Sequence, residues 1–507
     1  MFRPNYFYIS IRDNIIIDMF PSIACTDLSQ KFCPALSRML LINLVFLFLM
    51  EPLTFFSKSN TRFQNTTSND TINSLIIEEL KLLNGLKIFL LPTNLDSETA
   101  VNLLIKSGSN QDPIDKTGLA QQTAQYLLFN HQKEQENVLK TLGIQLTVDV
   151  LSDSTIFQAR LFPRRLILFL KILAINLTHP VVKKSLATPI SNKTNLESQI
   201  PESLLLANLY FKRAIFGNHP YGRISREVKV TPKDCYQFLS NHYIPNNASL
   251  IVVGSFSSKS LIKEIRENFG PWTKKDLPIS ANPKFPRIDK LSIQLLDKGK
   301  SNSEAGIIFG HTTPDRLSDD FYSLQALNLI LGGFSNGSRL SRAFLAKKIN
   351  YHFIDSQIRF YQSGGLIRIL TKIPSKVVGL ALKTIIETIE NLKQFPVTTT
   401  ELDLAKKQLL ELDKASLLST YLIADKLTDL ELLSVSKNSL GYFSDKLKVL
   451  TVSQLQRAAK IHLSTTRAVT VIKGIDEGTS KDLNNFGSSE IFTIRDVIDI
   501  PSIHGGQ

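Results

Sequence analysis

The sequence predicts an α+β protein made of two similar halves, each an antiparallel sheet packed against helices. Three observations carry that expectation. Strand-like and helix-like stretches follow one another in mixed order, tight-turn dipeptides join neighbouring strands, and the same order of elements runs twice. A linker rich in Pro and Lys, residues 270–290, separates the two runs. The chain has 507 residues, 43% apolar, 21% charged and 8% aromatic, which excludes a disordered, collagen-like or low-complexity polymer. That length also exceeds what one compact core accommodates.

The first half covers residues 75–269. Within residues 81–92 (KLLNGLKIFLLP), Asn84-Gly85 supplies the positive φ of a tight hairpin between two strands. Residues 99–106 form a third strand, and residues 118–129 (GLAQQTAQYLLF) have helical spacing. Leu142-Gly143-Ile144 then enters two alternating strands, IQLTVDVL and STIFQARLF. Helices follow over 165–177, 202–215 and 232–242, then the turn Pro245-Asn246-Asn247 and a strand over 249–254. The second half, residues 291–475, begins with a strand over 304–309, a helix over 319–331 and the Gly332-Gly333 break. A helix over 338–348, strands over 351–361 and 366–372, and an amphipathic helix over 377–392 come next. Further helices run to residue 462, a strand over 468–473 closes the half, and residues 476–507 read as an irregular tail.

Residues 1–74 read as a signal or anchor segment followed by a polar linker. Residues 39–50 (MLLINLVFLFLM) contain Asn43 as their sole polar residue, after Arg38 and before Glu51-Pro52. A spanning helix needs about 20 apolar residues, so this run fits the apolar region of a signal peptide better. A start at Met19 or Met39 would shorten the stretch before it, and Ser57-Lys58-Ser59 is a small-x-small cleavage candidate. Residues 57–71 (SKSNTRFQNTTSNDT) have the composition of a spacer between an anchor and a domain. The chain is therefore expected to be exported or membrane-anchored.

Charge and cysteine content exclude further classes. The 59 basic and 45 acidic residues leave a net charge of +14, dispersed along the chain. The densest basic run, residues 160–171 (RLFPRRLILFLK), is interleaved with aliphatics and reads as an amphipathic helix, so no nucleic-acid partner is expected. Cys25, Cys33 and Cys235 make neither a disulfide framework nor a C-x-x-C zinc pair. Neither a P-loop nor a G-x-G-x-x-G run occurs, which leaves nucleotide binding without support.

Several stretches together resemble the M16 metallopeptidases, the insulinase and mitochondrial-processing-peptidase family. Asn84-Gly85-Leu86 before a strand, Lys106-Ser107-Gly108-Ser109 and Gly118-Leu119-Ala120 are similar to the opening of that family. Phe216-Gly217-Asn218-His219-Pro220-Tyr221-Gly222 resembles its f-G-x-H-P-Y-G segment. Tyr243-Ile244-Pro245-Asn246-Asn247 before Leu250-Ile251-Val252-Val253-Gly254 resembles its Y-x-P-x-N plus strand. In the second half, Ile330-Leu331-Gly332-Gly333 and Ser338-Arg339-Leu340 are similar to its LGG…SRL segment. The resemblance spans about residues 78–475 and implies two homologous halves that in this family combine into chambers around a peptide.

The family places H-x-x-E-H directly after Gly-Leu-Ala, two imidazoles for zinc and a Glu to activate water, with a further Glu ligand later in the chain. Here the corresponding positions are Gln121, Ala124 and Gln125, and Glu197 and Glu202 lie near the later one. An amide is a far poorer zinc ligand than an imidazole, and a methyl group cannot act as a base. No two of the eight histidines (131, 179, 219, 242, 311, 352, 462, 504) stand four apart, so H-x-x-E-H occurs nowhere in the chain. His131-Gln132-Lys133-Glu134-Gln135 approaches that pattern but reads as a solvated, charged segment. Cys235 reads as a small buried hydrophobe, and His219 and His242 as structural groups.

The resemblance therefore implies the zinc-free sister subunit that bacteria pair with an active M16 peptidase, on the periplasmic side, with no metal or other cofactor of its own. In such sisters an Arg and a Tyr after the SRL segment hold the backbone of the peptide substrate. Tyr351 matches the Tyr, the Arg position falls on Ala346, and residues 345–351 are about one residue shorter than the pattern, which leaves Arg339 as the nearby candidate. Two other classes remain: an active metalloendopeptidase with atypical ligands such as Glu197 or Glu202, and a non-enzymatic peptide-binding scaffold.

Overall fold

The computed structural model describes residues 76–129, 139–180, 201, 204–223, 230–277, 285–298, 304–333, 337–475, 483–486 and 489–492. The apolar run at 39–50, the segment from His131 to Gln135, and Glu197 and Glu202 lie outside the described residues.

The first half supplies β1 (Glu78–Lys81), β2 (Lys87–Pro92), β3 (Thr99–Ile105), α1 (Leu119–Phe129), β4 (Gln145–Val150) and β5 (Thr155–Leu161). Then come α2 (Leu166–Thr178), α3 (Leu205–Phe216), α4 (Pro232–His242), β6 (Ala248–Gly254) and α5 (Ser258–Phe269). The second half supplies β7 (Ser292–Lys298), β8 (Glu304–Thr313), α6 (Phe321–Asn328), α7 (Arg339–Ala346), β9 (Phe353–Tyr361), β10 (Gly364–Pro374) and α8 (Val378–Gln394). It continues with α9 (Thr399–Ala415), α10 (Thr420–Leu432), α11 (Ser439–Lys448), α12 (Val452–His462), β11 (Val469–Ile475) and β12 (Ser489–Phe492).

Two six-stranded sheets result, in the orders β1-β2-β6-β3-β5-β4 and β12-β7-β11-β8-β10-β9. The α+β architecture in two halves is the one the sequence predicts, and most neighbouring strands are antiparallel. The exceptions are β2 beside β6, and β7 beside both β11 and β12, which run parallel. The strand that closes each half returns through helices beside its first long strand, and such a crossover makes the pair parallel. Three elements were not read from the sequence: α5, β7 and β12. The last pairs with β7 where an irregular tail was expected, an example of a sheet edge recruiting a segment with little propensity signal of its own. The helix expected over 319–331 ends early, and residues Leu329–Gly333 form a π turn. A Cβ on Gly332 would lie 2.7 Å from the Ser356 Cβ, and Ser356 Oγ donates to Asn328 Oδ1 at 2.8 Å, so the backbone is drawn against β9.

The turn at Asn84-Gly85 forms as read: Gly85 has φ +94°, and a side chain there would run into Asn246. Side-chain alternation then shows what each sheet needs. On β3, Val101, Leu103 and Ile105 face the helices of their own half, whereas Ala100 and Leu104 join a core shared with the second half. Ile88 and Leu90 on β2, and Leu250 and Val252 on β6, face inward in the same way, with Phe89, Leu91, Ile251 and Val253 opposite. Both faces are apolar, so both require cover. The outer face of the first sheet is covered by α10 from the second half, through Ile423, Ala424, Leu427 and Leu430. The matching face of the second sheet is covered by α3 from the first half, through Ala207, Tyr210, Phe211 and Ile215. Gly310 on β8 admits this helix closely, because a Cβ there would lie 2.8 Å from Phe211 Cζ and would overlap the Ile367 carbonyl. Each fully buried Leu or Ile in these contacts contributes about 1.5–3 kcal/mol.

Polar groups fix the register of both exchanged helices. Asn102 and Gln158 lie opposite each other on β3 and β5, and both amides donate to Asp425 Oδ1 of α10. In the second sheet the half-buried Arg368 donates to Asn208 Oδ1 of α3 at 2.6 Å and to Gln357 Oε1 through Nε and Nη2. At the end of α10, Glu431 is 2% exposed and receives Lys106 at 2.6 Å, Lys87 at 3.2 Å and Lys437. Burial pushes its carboxyl up, but the Lys106 and Lys437 ammonium groups outweigh this and hold it at about 2. A depressed carboxylate contributes stability above its unfolded value of 4.5 and loses it as pH falls through about 2. Glu431→Gln, which leaves the lysines without a counter-charge, is expected to lower unfolding stability at pH 7 by about 3 kcal/mol. It should also flatten the acid limb of the stability curve between pH 4.5 and 2, as read by urea unfolding. An unchanged midpoint would contradict the assignment.

Candidate functional site

Helix α1 carries Gln121, Ala124 and Gln125, and its position is set from outside itself. Asp112, buried in the loop before it, accepts Gly118 N–H at 2.6 Å on Oδ2 and Ala120 N–H at 2.8 Å on Oδ1. The orphan donors of the first turn are thereby satisfied by a residue six to eight positions upstream. Gly118 itself has φ +93°, a conformation that glycine adopts without strain. Burial pushes the Asp112 carboxyl up to about 6, against the pull of the two N–H groups and of Arg223. The Arg223 guanidinium in turn donates to the Asp112 backbone carbonyl.

Along α1, Ala124 is fully buried, Gln125 is buried and Gln121 half-buried. The helix packs on α4, and Cys235 of α4 faces Thr123, where burial pushes the thiol up to about 11. A thiol of that acidity is an inert packing group, as read from the sequence. Beside the C-terminal part of α1 lies a hollow of about 200 Å³ whose wall mixes apolar and aromatic groups such as Leu127, Leu177 and Trp272 with the polar Thr178, Ser240 and Lys275. Two amides and a methyl do not fit zinc, because neither supplies a strong nitrogen or anionic oxygen donor. Among the described residues, no three His, Cys, Asp or Glu side chains converge to hold a metal ion.

The other residues of the family-like motifs serve the wiring around α1. His219 Nδ1 accepts Tyr221 N–H at 3.2 Å and so caps the short turn Pro220–Gly222. Tyr221 donates its hydroxyl to Asp153 at 2.7 Å and stacks on Tyr361 of the second half, with ring centroids 4.7 Å apart. Asp153 also accepts Asn110 Nδ2 at 2.8 Å and Gln362 N–H at 3.3 Å, which joins loops of both halves. His242 Nδ1 meets the Ser107 hydroxyl at 3.2 Å, and burial lowers its imidazole to about 4, so it is neutral at physiological pH. Lys116 pairs with Asp234 at 2.6 Å, and Asp234 also closes the capping box of α4 with Thr231. The chain contains one G-x-S-x-G run, Gly333-Phe334-Ser335-Asn336-Gly337. Its three middle residues lie outside the described residues, and it follows a helix and π turn instead of the strand a nucleophile elbow requires.

In the second half, the Arg339 guanidinium grips Glu401 with two bonds, Nε at 2.9 Å and Nη2 at 2.8 Å, and Arg342 adds a third at 2.7 Å. Glu401 simultaneously caps α9 through Thr398. The guanidinium is thus committed to joining α7 to α9. Tyr351 is half-buried and meets the Phe344 ring edge-on, with centroids 5.8 Å apart. Sequence reasoning missed Asp112, Asp153 and Glu431. Only Asp112 left a local signal, an Asp-Pro pair just ahead of the Gly that opens a helix.

Because Ala124 is enclosed on every side, Ala124→Glu would bury a carboxyl without a partner. The expected loss is about 3 kcal/mol of unfolding stability. Urea unfolding of the variant measures it, and an unchanged midpoint would show that this position opens onto solvent.

Three comparisons bear on this arrangement. The family described as "Peptidase M16 inactive domain" matches residues 229–409. The zinc protease PqqE of Helicobacter pylori is 24% identical over 429 residues, covering 78% of this chain and 92% of that protein. Among solved structures, the peptidase M16 inactive domain from Pseudomonas fluorescens superposes with a TM-score of 0.68 at 21% identity, over 79% of this chain and 98% of that one. The first half of the periplasmic protease PqqL from Escherichia coli gives 0.62 at 16% identity, over 80% and 93% of the two chains. The ordered motifs, the two interlocked α+β halves and these matches agree: the chain has the fold of the M16 peptidases and is similar to them in sequence, and its residues 229–409 match the inactive domain of that family.

Proposed function

We propose that this protein is a catalytically silent M16 subunit that pairs with a zinc-bearing homologue in peptide processing or degradation. The observation that carries the reading is the fully buried Ala124 between Gln121 and Gln125, at the place where the family keeps its water-activating Glu between two histidines. The silent subunit closes a chamber around the peptide and supplies second-half groups to its backbone. Tyr351 is the candidate for that contact, and Arg339 supports it by fixing α7 through Glu401. The chain binds no zinc of its own. The apolar run at 39–50 directs it out of the cytoplasm, in keeping with its likeness to PqqL, a periplasmic protease.

The test is affinity purification of the full chain from its native cell, followed by mass spectrometry and a peptide-cleavage assay. The expected result is a co-purifying homologue with intact H-x-x-E-H and chelator-sensitive cleavage by the pair alone. Tyr351→Ala in the reconstituted pair should then reduce kcat/KM roughly tenfold, equivalent to about 1.4 kcal/mol. Cleavage by the isolated chain would contradict the proposal, and peptide binding with no attached homologue would assign a scaffold instead.

A further inference from the structure

A second hollow, of about 350 Å³, lies in the second half where β8 and α12 both end and residues 286–288 approach the sheet. Its polar lining is Arg287, His311, Thr312, His462, Ser464 and Arg467, with Thr313 beside them, and among the described residues no acidic side chain is part of the wall. The charges around it are largely matched already. Arg287 pairs with Asp289 at 2.6 Å, Lys393 with Glu390 at 2.9 Å, and Arg457 with Asp320. His462 donates Nε2–H to Asp320 Oδ2 at 2.7 Å, which fixes its ring and leaves Nδ1 as its remaining nitrogen. His311 is satisfied on both sides: Nδ1–H donates to the Thr312 carbonyl at 3.0 Å, and Nε2 accepts Ser464 N–H at 3.2 Å. Burial lowers its imidazole to about 4, so it remains neutral.

What is left over is one-sided. Arg467 is exposed on the wall of the hollow and makes no ion pair among the described residues. The Ser464 hydroxyl accepts Arg467 N–H at 3.0 Å and retains its own proton, and the Thr312 hydroxyl is a further donor. A hollow with surplus donors, an uncompensated guanidinium and no carboxylate is complementary to an acceptor-rich anion, and a planar guanidinium matches two oxygens at once.

We propose that this hollow binds a small oxyanion, a carboxylate or a phosphate, through the Arg467 guanidinium assisted by the Thr312 and Ser464 hydroxyls. The site is independent of α1 and stands whether or not the chain pairs with a peptidase. Isothermal titration calorimetry of the full chain tests it with two probes: inorganic phosphate, and tetra-alanine with a free or an amidated C-terminus. Binding of phosphate alone assigns a free anion, and binding of the free-acid peptide but not its amide assigns a peptide end. In either case Arg467→Gln should weaken binding at least tenfold and Thr312→Val severalfold, while Arg164→Gln, exposed in the turn before α2, leaves it unchanged. Failure of both probes to bind overturns the proposal, as does wild-type affinity in Arg467→Gln with its circular dichroism unaltered.

Discussion

Each sheet of this protein is apolar on both faces, and that constraint shapes the rest of the molecule. A half can cover one face with its own helices, but the other must be covered from elsewhere. The chain solves this by exchange: α10 of the second half lies on the first sheet, and α3 of the first half lies on the second. Apolar contact alone would leave the helices free to slide. Asp425 against Asn102 and Gln158, Asn208 against Arg368, and Glu431 against its three lysines give each helix one position. These buried polar groups favour a single register, because a slipped helix would strand them without partners.

The same wiring determines what α1 can do. Asp112 holds its first turn, Asp153 ties the loop beside it to Tyr221 and to the second half, and Lys116 joins the loop before it to α4. An active peptidase needs such a rigid platform to orient its ligands. In this chain the platform is intact while the groups it would present are two amides and a methyl.

Much of this was legible in the sequence. The hairpin at Asn84-Gly85, the amphipathic α8 and the strands β4 and β5 each have a local signature, in turn chemistry or in periodicity. The helix that carries Gln121, Ala124 and Gln125 was legible too, because residues 118–129 have helical spacing. What could not be read were the relations across long separations. Nothing near Glu431 indicates that Lys106, more than three hundred residues earlier, will meet it. The short β12 is visible only as a partner of β7, and the parallel pairings depend on the path of the whole chain. Arg339 shows another limit: its place after the Gly332-Gly333 break leaves it open between substrate contact and a structural ion pair, and only the fold supplies its partner, Glu401.

A silent subunit requires that α1 and its surroundings retain no divalent ion. Elemental analysis of the purified full chain, after equilibration with excess zinc and removal of loosely bound metal, measures this directly. The predicted result is only trace zinc, unchanged in Gln121→Ala and Gln125→Ala. Stoichiometric zinc that is lost on either substitution would contradict it.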